Sequence, residues 1–248
     1  MIDSWRQSLF ETLYKNRHLY RFASTVPFAG QWRTWQRLVL SRLHGRSVLE
    51  LGCGLGDLLA DMIEAGYDCR AVEKSPEMLA AARSTLQQRQ CGQPNWVVQG
   101  EAQCLPFEDA YFDNVVSTFP SEYIYAPNTI CEIKRVLRPN GRLIIIVGAN
   151  LLKVDPIQMF MLLTQACVNE STVLFGHSKQ ENRRNKVESN QYGSCLEFWL
   201  GQDTDITTEV VPNGEFGKLI PLEQYGLRRR CERVCSNYWE AYIVVGEK

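Results

Sequence analysis

The chain has 248 residues and a formal net charge of −1, from 27 Lys and Arg against 28 Asp and Glu. That length is enough for one large core plus an insertion, and the charge gives no global field for nucleic acid or an anionic membrane. Nine cysteines without a CxxC pair, and only three histidines (His18, His44, His177), argue against a disulfide framework or a metal site.

The start, MIDSWRQSLFETLYKNRHLYRF, is amphipathic and charged, without the apolar core of a leader, so a cytoplasmic location is expected. From Val48 onward, short β-branched runs alternate with helical patterns, the sequence form of a parallel βαβ sheet. SVLELG is the first strand and DLLADMIEAGY the first helix of that series. CRAVEKS is the second strand, and Pro76 opens the helix PEMLAAARSTLQQR in its first turn. NWVVQGEA and YFDNVVSTF supply the third and fourth strands. NTICEIKRVLRPNG reads as a helix ending in a turn, and RLIIIVGAN as a fifth strand buried on both faces.

The alternation then stops until LRRRCERVCSNYWEAYIVVGEK, which predicts an antiparallel hairpin turning at Ser236 and Asn237. Residues 150–226 are too long for a plain loop and are expected to form an insertion with its own structure. Within it, PIQMFMLLTQACV at 156–168 falls short of the roughly 20 residues of a membrane span. It reads first as a core helix, with an apolar acceptor wall or peripheral membrane contact as functional alternatives. The basic runs ENRRNK and RRRCER lack interleaved aromatics and read as solvated faces, so no nucleic-acid partner is expected.

The chemistry concentrates in VLELGCGLGD at 48–57. Glycine at Gly52, Gly54 and Gly56 permits positive φ and close approach of a ligand. A dinucleotide fingerprint needs its third glycine at position 57, where this chain has Asp57, a carboxylate that would repel pyrophosphate. No Gly-Lys-Ser/Thr follows, which excludes a Walker loop. Glu73 ends the second strand where an acidic side chain can accept both ribose hydroxyls. Together these point to an adenosine without phosphate. Glu101, after the third strand, is placed to accept from the adenine amino group, and Glu50 to accept the amino group of an amino acid moiety.

At this point VLELGCGLGD, AVEKS, GEAQCLPFEDAYFDNVVS and EIKRVLRPNGRLIIIV together resemble the ordered motifs of class I S-adenosylmethionine-dependent methyltransferases, specifically the methyltransferase-11 group. The resemblance covers about residues 46–149. It implies an α/β, Rossmann-like fold with a seven-stranded mixed sheet in the order 3-2-1-4-5-7-6 and helices on both faces. YRFASTVPFAGQWRTWQRLVLSRL is more loosely similar to the N-terminal helices of ubiquinone/menaquinone C-methyltransferases, which implies a helical lid over 1–45. The whole chain is then one domain: lid, cofactor core at 46–149, a 150–226 insertion capping the acceptor pocket, and a closing hairpin at 227–248.

The resemblance implies S-adenosyl-L-methionine as cofactor, held by Glu50, Gly52, Cys53, Gly54, Gly56, Glu73, Lys74, Met78, Glu101, Ala102, Ser117, Thr118 and Phe119. Cys53 is expected to contribute backbone, since no base or cation that would activate its thiol is evident. Tyr123, Glu122 and His18, in descending order, are the candidates for a base, should the acceptor need one. Tyr14, His18 and Tyr20 share a helical face that reads first as packing. An Asn-Pro-Pro-aromatic motif is missing after the fourth strand, which argues against adenine or glutamine N-methylation. The expected function is methyl transfer by in-line displacement to a small hydrophobic acceptor. A catalytically silent binding or regulatory protein, and an NAD(P)-dependent oxidoreductase, are the alternatives.

Overall fold

A computed structural model describes residues 31–152, 206–211 and 220–248. Most of the expected lid and most of the expected insertion, with Tyr14, His18, Tyr20 and the 156–168 helix, lie outside the described residues.

The described elements are, in chain order, α1 (Trp32–Arg37), β1 (Ser47–Leu51), α2 (Asp57–Glu64), β2 (Asp68–Glu73), α3 (Pro76–Gln88), β3 (Val97–Gln99), β4 (Phe112–Thr118), α4 (Pro127–Val136), β5 (Leu137–Leu151), β6 (Thr207–Val210), β7 (Arg228–Cys235) and β8 (Trp239–Glu247). They form one mixed sheet in the order β3-β2-β1-β4-β5-β8-β7-β6. Strands β1 to β5 run parallel, and β8 joins β5 antiparallel. The strand order reverses between β1 and β4, and the crevice beyond their carboxyl ends is where open α/β sheets bind ligands.

The expected class, the strand order of the core and the hairpin turning at Ser236 are all present. The count is eight described strands rather than seven. The extra one, β6, comes from within 150–226 and pairs with β7 at the sheet edge. All four of its residues are exposed, so no buried alternation marks it, although Thr207, Thr208 and Val210 are β-branched. The helix ends at Val136, just before the expected Arg-Pro-Asn-Gly turn, but that stretch belongs to β5 rather than to a separate turn. Leu137 already pairs with Phe112, and Asn140 takes φ 63° where the register shifts, so the Arg-Pro-Asn-Gly stretch is an irregular start to β5.

Alternation along the central strands sorts the core into two layers. Val48, Val116, Ile144 and Ile146 pack with α1, α2 and α3 through Trp35, Leu58, Leu59, Met62, Leu79 and Leu86. Leu49, Leu51, Val115, Leu143 and Ile145 pack with α4 through Ile130, Ile133 and Val136. Each such fully buried aliphatic contributes about 1.5–3 kcal/mol relative to exposure, which is why the unbroken apolar run in β5 fixes its central place.

Helix α1 has only six residues, too short to persist on propensity alone. Two kinds of contact fix it. Trp35 is fully buried in the first layer. Charge supplies the other: Arg33 Nη2 donates to Asp61 Oδ1 and Oδ2 at 3.0 and 2.9 Å, and Arg37 Nε to Asp61 Oδ2 at 2.8 Å. Arg89, just past α3, adds a third guanidinium 2.8 Å from Asp61 Oδ1. Burial would raise the Asp61 carboxyl, but the three arginines outweigh it and hold it below its ordinary 3.8.

The folded state therefore favours ionised Asp61. That stabilisation is complete above the unfolded value of 3.8 and is lost as pH falls below it through the lower folded value. Asp61→Asn, which leaves three half-buried guanidinium groups facing an uncharged amide, is expected to cost about 3 kcal/mol at neutral pH. It should also remove this residue's share of the acid unfolding limb, as read from urea unfolding at pH 3 to 7.

Candidate functional site

The turn after β1 opens the crevice. Gly52, Gly54 and Gly56 all take positive φ, 69°, 53° and 77°, so each lies in the left-handed region that penalises a side chain. Their roles differ. A Cβ on Gly52 would sit 3.1 Å from the Tyr123 hydroxyl, at the crevice wall. A Cβ on Gly56 would fall 2.8 Å from Ala82 Cα, so this glycine lets α2 approach α3. Gly56 thus does the close-packing work of a third fingerprint glycine, one place early.

The glycine amides are already engaged. Gly52 N–H donates to Val72 O at 2.8 Å, Gly54 N–H to Glu73 Oε2 at 2.9 Å, and Gly56 N–H to Cys53 O at 2.9 Å. These positions give a ligand room to approach rather than spare donors. Asp57, the first residue of α2, lies 3.1 Å from Arg33 Nη1. Its charge is balanced there, which weakens the electrostatic argument against pyrophosphate and leaves the missing glycine as the stronger one.

Glu73 is buried at the end of β2, and its other oxygen accepts from Ser75 N–H at 2.9 Å. Burial raises its pKa, opposed by those backbone bonds from Ser75 and Gly54. Glu50, on the β1 face that carries α1 and α2, is only 1 % exposed. Its Oε2 has no hydrogen-bond partner among the described residues. Burial first, then the charges of Glu73, Asp61 and Asp57, push its pKa up to about 8, with Arg33 opposing. Cys53 is buried too, and desolvation followed by Glu50 and Glu73 holds its thiol protonated.

Other expected residues are placed less centrally. Glu101 is exposed and 3.1 Å from the exposed Lys74 ammonium, so neither is enclosed. Ala102 is partly buried against the α4 layer. Met78 is fully buried beside Leu55 and Ala81 in α3. At the end of β4, Ser117 is buried, and its hydroxyl lies 2.7 Å from the Tyr123 hydroxyl, which donates to Leu51 O at 3.1 Å. Tyr123 is therefore tied to the last residue of β1, whereas Glu122 beside it is exposed.

Two contacts from α1 were not legible as site features. Gln36 Nε2 donates to Thr118 Oγ1 at 3.3 Å, and Trp32 stacks on Phe119 with ring centroids 4.1 Å apart. Phe119 itself has φ 50°, a strained position for a bulky residue. Aromatic density in QWRTWQ was the available signal. It reads equally as core.

The glycine turn at the carboxyl end of β1, the Glu73 carboxylate at the end of β2 and the buried Glu50 carboxyl are thus gathered at the point where the strand order reverses. Residues 49–145 match the methyltransferase-11 family model, described as a methyltransferase domain. This core is a class I S-adenosylmethionine-dependent methyltransferase domain, and S-adenosylmethionine is the cofactor of its class. The chain is similar to the demethylmenaquinone methyltransferase of Symbiobacterium thermophilum, 32% identical over 149 residues, which are 57% of this chain and 58% of that one. The enzyme of the same name from Lactiplantibacillus plantarum is 32% identical over 145 residues, 56% of this chain and 60% of that one. The match thus spans less than two thirds of either relative. The PH0226 protein of Pyrococcus horikoshii OT3 shares the fold with a TM-score of 0.50 at 20% identity, over 89% of this chain and 91% of that one.

The raised Glu50 carboxyl makes a signed prediction. Folded, it keeps its proton to about pH 8, while unfolded it ionises near 4.5, so the folded state holds the extra proton between those values. Stability of the ligand-free protein should fall as pH rises across that window, by about 1 kcal/mol per unit from this group, and level off above it. In Glu50→Gln that contribution vanishes, as urea unfolding at pH 5.5, 7 and 8.5 will register.

Proposed function

We propose that this chain transfers a methyl group from S-adenosylmethionine to a small hydrophobic acceptor. The observation that carries the reading is the buried Glu50 Oε2, unpartnered among the described residues, beside three left-handed glycines at the sheet's reversal point. A buried acceptor of this kind costs stability unless something cationic completes it, and an amino acid ammonium has the right charge and donors.

Bound S-adenosylmethionine would supply a methyl group on a sulfonium, already a strong electrophile. The chain's own task is then chiefly to hold donor and nucleophile in a near-attack arrangement, which can lower a barrier by about 7–11 kcal/mol. Glu50 receives the ammonium and Glu73 the ribose hydroxyls, releasing Gly54 N–H. Glu101 reaches the adenine amino group by turning away from Lys74. Ser117, Thr118 and Phe119 form the opposite wall.

Tyr123, the first candidate for a base, is fastened to Leu51 O and Ser117, an arrangement that suits supporting the β1 terminus better than accepting an acceptor's proton. Glu122 is exposed on the same segment and is the freer candidate. The 1–45 lid and the 150–226 cap are assigned to cover the crevice and shape the acceptor pocket. The two relatives' name, demethylmenaquinone methyltransferase, supports an apolar small-molecule acceptor.

Calorimetry on the purified chain should show S-adenosylmethionine binding. Gly54→Arg, which puts a side chain at φ 53° in the cradle, should abolish it, and Glu73→Ala should weaken it by about tenfold or more. Undiminished binding in both variants would sink the site assignment. Binding without turnover on a broad panel of apolar acceptors would favour a regulatory protein on the same fold.

A further inference from the structure

Among the buried polar atoms that lack hydrogen-bond partners among the described residues, two belong to side chains of opposite charge type: Glu50 Oε2, an acceptor, and Arg33 Nη1, a donor. Arg33 Nη1 lies 3.1 Å from Asp57 Oδ1, an ion-pair distance without hydrogen-bond geometry. The residues bearing these atoms belong to the same layer. Glu50 alternates with Val48 on the β1 face that α1 and α2 cover, and Arg33 projects from α1 onto Asp57 and Asp61 of α2.

Asp61 does not depend on Arg33 alone, because Arg37 and Arg89 each reach it at 2.8 Å. The guanidinium fork lets Arg33 keep Nη2 on Asp61 while Nη1 serves another anion, a division that a lysine ammonium cannot make.

The amino acid end of S-adenosylmethionine carries an ammonium and a carboxylate. Glu50 matches the first. The carboxylate would enter a wall already lined by Glu50, Asp57, Asp61 and Glu73, so it needs a cationic or N–H partner. The three glycine amides of the turn are already donated, to Val72 O, Glu73 and Cys53 O. We propose that Arg33, through Nη1, binds the α-carboxylate of the cofactor opposite the Glu50–ammonium contact, so that the orphan pair reads the zwitterion from both ends. This rests on the cofactor site proposed above.

The test compares S-adenosylmethionine with its decarboxylated form, which keeps the adenosine, the sulfonium and the amino group. Both are titrated by calorimetry into the full chain, Arg33→Gln and Arg33→Lys, with circular dichroism to check folding. The wild-type chain should bind S-adenosylmethionine about ten- to a hundredfold more tightly than the decarboxylated probe, the range expected for one charged hydrogen-bonded contact. Arg33→Gln should erase that preference while binding the decarboxylated probe nearly as the wild type does. Arg33→Lys should reduce it.

An equal loss for both probes in Arg33→Gln would mean that the residue only braces α1, and the proposal fails. It fails also if the wild type does not discriminate or if Arg33→Gln discriminates fully. Should Arg33→Gln not fold, the preference in Arg33→Lys decides, and an unreduced ratio overturns the assignment. If the wild type binds neither probe, the cofactor site itself is wrong, and Arg33 falls with it.

Discussion

Everything at the crevice depends on how β1 stops. The strand is buried along its whole length, so its backbone must leave the sheet without stranding polar groups in the core. It does so through three residues in left-handed conformation at alternate positions, and the amides freed there are taken up by Val72 O, Glu73 and Cys53 O. Only glycine holds such a path cheaply. The third glycine also brings α2 down onto Ala82 of α3. Turn geometry, helix placement and the position of Glu73 are thus one solution to one problem.

Behind the turn the chain gathers negative charge. Glu50, Asp57, Asp61 and Glu73 converge, and the arrangement is tolerable because each charge is handled differently. Asp61 is overwhelmed by arginines, Asp57 faces Arg33, Glu73 accepts from backbone, and Glu50 keeps its proton. A site of this kind suits a ligand that arrives with positive charge. The sulfonium and ammonium of the proposed ligand would provide it.

Much of the core was legible because its signals are local. Branched runs gave β1, β2, β4 and β5, Pro76 gave the start of α3, and the glycines with Glu73 gave the cradle. What escaped is long-range or masked by context. Asp61 lies within an ordinary helical pattern, and nothing near it in sequence announces partners at Arg33, Arg37 and Arg89. The role of Gly56 required knowing that α3 passes at Ala82. Tyr123 looked available as a base because a sequence does not show that its hydroxyl is bound to Leu51 O. The Arg-Pro-Asn-Gly stretch has turn chemistry, yet it is drawn into β5 because Leu137 finds Phe112. Strand β6 has no apolar face to read.

The place of β8 has a kinetic consequence. It lies between β5 and β7, paired with β5 from Arg142 to Leu151, although roughly 90 residues separate the two strands in sequence, and such non-local pairing slows folding through the entropy of loop closure. Until β8 arrives, one edge of β5 is an open, strongly apolar template of Ile144, Ile145 and Ile146. Any folding stage that precedes β8 pairing leaves this apolar strand able to pair with another molecule, and the charges on the outer strands, Arg228, Arg230, Arg233 and Glu209, protect only the finished sheet.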